Sequence, residues 1–144
     1  MSPNHAPDLA AALADEGPVV IALRRAFPHA LGIYAFGSMV QGTARSDSDL
    51  DLAILVEGYA APLALWEAAN ELTGLLHRPV DLLDFRAAST VMQDQILNKG
   101  RRLWGKEPQA GLYECFAMSE KGRLEEARAG ILTDIAKEGR VYGR

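Results

Sequence analysis

Short apolar runs alternate along the chain with longer stretches in which apolar residues recur every three or four positions. The runs at 31–36, 49–56 and 79–85 are rich in leucine, β-branched and aromatic side chains, which predicts buried strands. The periodic stretches predict helices. We expect helices at about 8–27 with a break near Gly17 and Pro18, and at about 38–42, 60–77, 90–99 and 110–138.

Local signals refine the helix ends. Thr90 and Gln93 match a capping box at the start of the helix over 90–99. The long C-terminal helix is expected to be interrupted at Gly122 and Gly130, because glycine is a poor helix former. The order α-β-α-β-α-β-α-α predicts an α/β fold class.

The chain of 144 residues is long enough to bury a core within one domain. We expect a single domain over 1–144, with a core at about 17–105 and a C-terminal helical extension at about 108–144. The net charge of −4 disfavours nucleic acid as the main partner.

The single cysteine, Cys115, lies among apolar and aromatic residues and is expected to be a buried small hydrophobe. One cysteine cannot form an internal disulfide, which suits a reducing compartment. The N-terminal residues lack the pattern of a signal peptide, and no apolar run reaches membrane-spanning length. We therefore expect a cytoplasmic protein that does not act on a membrane.

The most informative motif joins the first two predicted strands. Gly37 and Ser38 follow the first strand, and after ten intervening residues Asp49 and Asp51 begin the second. Side chains two apart in a strand share a face, so the two carboxylates are expected side by side. Like charges repel, so such a pair favours a bound cation. Mg²⁺ fits best, because it takes oxygen ligands and bridges carboxylates to the phosphates of a substrate.

Phosphate groups also suit the other half of the motif. Gly37 lets the backbone approach a ligand closely, and Ser38 opens a short helix whose free N–H groups can meet phosphate oxygens. Arg45, in the intervening loop, could neutralise phosphate charge, although a solvated arginine is the commoner finding at such a position. The whole motif indicates transfer of a nucleotidyl group from a nucleoside triphosphate.

A third carboxylate would complete a site for two metal ions. The third predicted strand offers Asp81 and Asp84. Asp81 is bracketed by apolar neighbours in mid-strand, where an acid is costly without a purpose. Asp84 lies at the strand end beside Arg86, where a solvated or ion-paired acid is ordinary. We favour Asp81, both as a metal ligand and as a general base on the incoming hydroxyl.

The stretch from Gly37 to Leu55 resembles the signature of the DNA polymerase β-like nucleotidyltransferase superfamily, in particular its minimal nucleotidyltransferase (MNT) branch. The segments 80–84, 96–104 and 138–144 are also similar, so the resemblance covers most of the chain. It implies an α+β, polymerase β-like fold, in which a small mixed sheet is flanked by helices and followed by C-terminal helices.

The same resemblance implies a function. Gly37 and Ser38 would hold the triphosphate of ATP, and Asp49, Asp51 and Asp81 would hold Mg²⁺. The protein would be an antitoxin that transfers AMP from ATP to a tyrosine of a HEPN-domain ribonuclease toxin and so silences it.

Two other functions stay open at this point. An antitoxin could act by binding alone, through the apolar stripe of Leu124, Ile131 and Ile135 on the last helix. A nucleotidyltransferase could instead modify a small hydroxylated molecule such as an antibiotic. Only about 30 residues follow the α/β core, which favours a shallow site that suits a protein acceptor.

Overall fold

A computed structural model of the protein describes residues 9–41 and 49–138, apart from the side chains at positions 39, 41 and 124–138. Its centre is a mixed sheet of four strands in the order β3-β2-β1-β4. The strands are β1 (Ala30–Phe36), β2 (Leu50–Val56), β3 (Val80–Asp84) and β4 (Arg101–Gly105). β1 lies antiparallel to β2 and to β4, whereas β2 and β3 are parallel. The mixed α/β class is therefore confirmed.

The sequence patterns located three of these strands, but they missed β4. Six helices complete the described part: α1 (Leu9–Ala12), α2 (Pro18–Ala26), α3 (Ser38–Gln41), α4 (Pro62–Leu76), α5 (Thr90–Lys99) and α6 (Gln109–Glu138). None of the described helices is both long enough and apolar enough to cross a lipid bilayer.

Two details of the helices differ from expectation. α6 runs without a break through Gly122 and Gly130, because a glycine inside a helix costs only about 1 kcal/mol and need not end it. The cap of α5 is Ser89 rather than Thr90, since the Ser89 hydroxyl accepts a hydrogen bond of 3.1 Å from the Met92 N–H. Gln93 does not complete a capping box, because its side chain donates to the Phe85 carbonyl at 2.9 Å.

The two faces of the sheet carry separate cores. One core joins α2 and α4 to strand residues such as Ile33, Leu52 and Ile54. The other joins α5 and α6 to strand residues that include Tyr34 and Leu55. Both cores follow from the period of two along the strands. A register shift between Ala30 and Gly32 interrupts that period in β1.

Cys115 lies on α6 and is exposed, so the expectation that it is buried was wrong. The apolar residues that surround it in the sequence include Phe116 and Leu112, which are 62% and 65% exposed themselves. Only part of the apolar surface of α6 therefore packs against the sheet within the described residues.

Candidate active site

The turn between β1 and α3 places the backbone of Gly37 next to the carboxylate of Asp51. Gly37 has a φ of 82°, a conformation that side-chain-bearing residues rarely adopt. A Cβ atom at this position would overlap the carboxylate of Asp51. Glycine is therefore needed here both for its conformation and for its lack of a side chain. Ser38 follows as the first residue of α3, as the sequence predicted.

Three acidic residues lie in one region at this end of the sheet. Asp51 on β2 is the direct register partner of Asp81 on the parallel strand β3, so the two side chains share a face. Asp49 lies two positions before Asp51, just ahead of β2. Burial raises the pKa of the Asp51 carboxyl, and the negative charges of Asp81 and Asp49 raise it further. The three groups are thus close enough to interact electrostatically.

The shared face is also defined by its packing. Ala53 and Leu55 follow Asp51 at the strand period, and both belong to the core beneath α5 and α6. Leu83 follows Asp81 in the same way and packs against that core. The carboxylates therefore lie on the α5/α6 face of the sheet, at the end where β2 and β3 begin.

The environments of Asp81 and Asp84 are the reverse of those expected. Asp81 is exposed, whereas Asp84 is only 6% exposed. The Asp84 carboxylate accepts hydrogen bonds from the Ala60 N–H at 2.8 Å and from the Arg86 N–H at 3.0 Å. The hydrogen bonds of Asp84 therefore link the loop after β2 to the end of β3. Asp84 also lies three residues after Asp81, so its side chain is on the opposite face of the strand.

The donor set suits a hard divalent cation. Carboxylate oxygens are the ligands that Mg²⁺ prefers, and a cation would relieve the repulsion that raises the pKa of Asp51. As the side chains stand, no three Asp, Glu, His or Cys residues in the described part are gathered closely enough to hold a metal ion. Asp49 and Asp81 are exposed, so their side chains have room to turn toward a cation beside Asp51.

Some residues predicted to contribute lie outside the described part of the chain. Arg45 and the rest of the segment 42–48 lie outside the described residues. The side chains of Leu124, Ile131 and Ile135, which were expected to form an apolar stripe, also lie outside the described part. Their proposed roles stay predictions.

Sequence reasoning missed a polar network beneath the site. The Tyr34 hydroxyl on β1 donates to the Glu114 carboxylate on α6 at 2.7 Å. Arg102 on β4 bonds to Glu114 at 3.1 Å and to Glu107 at 2.7 Å. Burial, followed by the hydrogen bond and charge of Glu114, raises the pKa of Tyr34 well above its ordinary value. The network links α6 to the sheet, and no local pattern reveals it because Tyr34 and Glu114 are 80 residues apart in sequence.

Comparison with known proteins identifies the family. A model of the family described as "Polymerase beta, Nucleotidyltransferase" matches residues 21–109, a range that includes all the described strands. The chain belongs to this nucleotidyltransferase family. The matched range also contains the Gly37–Ser38 turn and all the acidic residues of the candidate site.

Known proteins are similar to this chain over most of its length. Protein adenylyltransferase MntA of Shewanella oneidensis is 36% identical over 121 residues, which is 84% of this chain and 87% of that protein. A chain of a toxin–antitoxin crystal structure with AMP-PNP is 36% identical, with a TM-score of 0.71 over 82% of this chain and 95% of that chain.

A third relative comes from a complex between a tri-AMPylated HEPN toxin of Shewanella oneidensis and an MNT antitoxin. It is 33% identical to this chain, with a TM-score of 0.66 over 83% of this chain and 93% of that chain. The expected resemblance to minimal nucleotidyltransferases is thereby confirmed.

Proposed function

We propose that this protein is an antitoxin adenylyltransferase that transfers AMP from ATP to a tyrosine of a partner HEPN toxin and so inactivates it. The observation that carries the chemistry is the register pairing of Asp51 with Asp81 beside the Gly37 turn. The protein acceptor is supported by the similarity to protein adenylyltransferase MntA and to the antitoxin in complex with a tri-AMPylated toxin. ATP as the donor is supported by the relative crystallised with AMP-PNP.

Different residues of the site would bind the metal ion and the triphosphate. Asp49, Asp51 and Asp81 would hold Mg²⁺, whose positive charge would offset the negative charge that develops during transfer. The bend at Gly37 leaves the space in which the Asp51 carboxylate lies. Ser38 would donate its hydroxyl to a phosphate oxygen, together with the free N–H groups that begin α3. Arg45 would approach the triphosphate from the segment 42–48.

The transfer itself is an in-line displacement. The tyrosine oxygen of the toxin forms a bond to the α-phosphorus of ATP, and the bond from that phosphorus to the oxygen of pyrophosphate breaks. The tyrosine proton must leave, because the ordinary pKa of tyrosine is near 10. Asp81 would accept that proton as the general base, since its exposed side chain can be reached by a tyrosine of the partner.

The decisive experiment is intact-mass spectrometry of a HEPN toxin encoded beside this chain, after incubation with the protein, Mg²⁺ and ATP. We expect mass gains of one or more AMP units and loss of the toxin's ribonuclease activity. Asp49→Asn is the matched control and should abolish the gain without loss of folding. An inhibited toxin without any gain in mass would contradict transfer and would assign the inhibition to binding alone.

A further inference from the structure

A cleft lies at the end of the sheet opposite the carboxylates. It is lined by the end of α2, the turn before β1, Glu57 after β2, and Trp104 and Lys106 at the end of β4. β1 runs from Ala30 at this cleft to Phe36 beside the Gly37 turn, which spans about 20 Å at roughly 3.3 Å per residue. The cleft is therefore separate from the candidate active site.

The size of the cleft suits a small ligand. Its volume is about 500 Å³, within the range of about 300–1,000 Å³ that is usual for small-molecule sites. The buried side chain of Phe27 and the half-buried ring of Trp104 form part of the wall. The cleft thus offers a concave surface with both apolar and charged groups.

The charged groups of the cleft are mainly positive. Arg24, Arg25 and Lys106 are exposed and line it together with His29, and the only acid in the lining is Glu57. Within the described residues, none of the three cations has a carboxylate at ion-pair distance. This local positive charge stands out in a chain whose net charge is −4. Such a site attracts anions, and phosphate in particular.

An aromatic stack lies next to these cations. The guanidinium of Arg24 lies over the ring of Trp104, at 4.3 Å from the ring centroid. Nucleobases stack on aromatic rings and on arginine planes alike. Both side chains line the cleft, so a planar base can extend the stack while its phosphate meets Arg25 and Lys106.

We propose that this cleft binds a nucleoside phosphate, either as a free nucleotide or at the end of a nucleic-acid strand. An acidic protein segment would pair with the cations, but its carboxylates offer no planar ring to extend the Arg24–Trp104 stack. The inference goes beyond the proposed function, because the cleft lies at the other end of the sheet and takes no part in AMP transfer.

The two tryptophans of the chain allow a direct test. AMP is titrated into the ¹⁵N-labelled protein in EDTA, and the indole N–H signals of Trp104 and Trp66 are followed by NMR. Trp66 lies on α4 and is 65% exposed, so it serves as an internal control. We expect a saturable shift of the Trp104 signal alone. No shift of Trp104, or equal shifts of both signals, would overturn the proposal.

Variants then locate the phosphate. Replacement of both Arg25 and Lys106 by glutamine should weaken AMP binding at least tenfold, whereas the same change at the exposed Lys99 and Arg123 should leave it unchanged. Binding that is unchanged without Arg25 and Lys106, or that is as tight for adenosine as for AMP, would overturn the proposal. Loss of AMP binding in Asp51→Asn would also overturn it, because the ligand would then lie at the carboxylates.

A final comparison separates the sources of the ligand. If a short oligoriboadenylate binds at least tenfold more tightly than AMP, with the same dependence on Arg25 and Lys106, the cleft takes the end of a nucleic-acid strand. Equal affinities indicate a free nucleotide, and both results support the proposal. If the Arg25 and Lys106 substitutions weaken the complex with the HEPN toxin but leave AMP binding intact, the cleft is a protein contact and the proposal fails.

Discussion

Gly37 and Gly58 form a matched pair that separates backbone strain from displacement of a carboxylate. Both have a positive φ, 82° and 78°. A Cβ at Gly58 would meet no atom within 4 Å, whereas a Cβ at Gly37 would overlap the Asp51 carboxylate. Alanine at either position therefore adopts the same strained conformation, which costs about 1–2 kcal/mol. Only at Gly37 must the Asp51 carboxylate also move.

The expected results differ accordingly. Each alanine variant should lower the melting temperature by a few degrees, since about 1 kcal/mol corresponds to roughly 4 °C for a chain of this size. Gly58→Ala should keep the rate of AMP transfer. Gly37→Ala should lower it on the order of 100-fold, because a displacement of about 1 Å in a catalytic group can cost that much.

The assay measures AMP incorporation into the HEPN toxin under single-turnover conditions, with melting followed by circular dichroism in the same buffers. Transfer at the wild-type rate by Gly37→Ala would refute the reasoning, because the Asp51 position would then not depend on the missing side chain. Equal losses of transfer in Gly37→Ala and Gly58→Ala would show that strain, and not the contact, sets the rate.

The other carboxylates and the network beneath them carry the remaining predictions. Asp81→Asn should abolish transfer with little change in melting temperature, whereas Asp84→Asn should lose about 1.5–3 kcal/mol of stability and keep transfer while folded; the reverse pattern would contradict the site. In buffer without divalent cations, the raised pKa of the Asp51 carboxyl means that its ionised form is less favourable in the folded protein than in the unfolded chain. Its contribution to folding stability is therefore present at low pH and is lost as pH rises through the folded-state pKa. Asp51→Asn should therefore raise the melting temperature near neutral pH but not below about pH 3.5, and a constant difference across this range would count against the assignment. Tyr34→Phe should lower the free energy of unfolding by about 1–3 kcal/mol, because it removes the partly buried hydrogen bond to Glu114; an unchanged denaturation midpoint would show that the bond does not stabilise the packing of α6.

The elements nearest the site could be predicted because their signals are local. β1 is a continuous apolar run and β2 is one apart from Asp51, and such a run is typical of a buried strand. The motif from Gly37 to Asp51 combines a residue that permits a bend with carboxylates at the strand period. Both properties belong to short stretches of sequence, so they can be recognised without knowing which residues pack against them.

β4 could not be predicted from its own residues. It begins with Arg101 and Arg102, and both are exposed at the edge of the sheet. Its extended conformation comes from pairing with β1, where Ala35 is the partner of Arg101. Gly100 allows this approach, because a Cβ there would collide with the carbonyl oxygens of Ile96 and Ala35. The determinants of this strand thus lie mostly in residues distant along the chain.

Asp81 and Asp84 are distinguished by strand pairing and not by the apolar residues around them. The apolar neighbours of Asp81 predicted a buried side chain, which was wrong, because Asp81 is exposed and Asp84 is the buried residue. Residues three apart in a strand face opposite sides, so only one of the two aspartates can share the Asp51 face. The parallel register of β2 with β3 makes that residue Asp81, and this register is a tertiary property that the sequence of β3 does not contain.

The hydrogen bonds from the backbone N–H groups of Ala60 and Arg86 then give Asp84 a structural reason to be acidic. The two carboxylates of β3 therefore lie in different surroundings, and the pairing of the strand places only Asp81 beside Asp51.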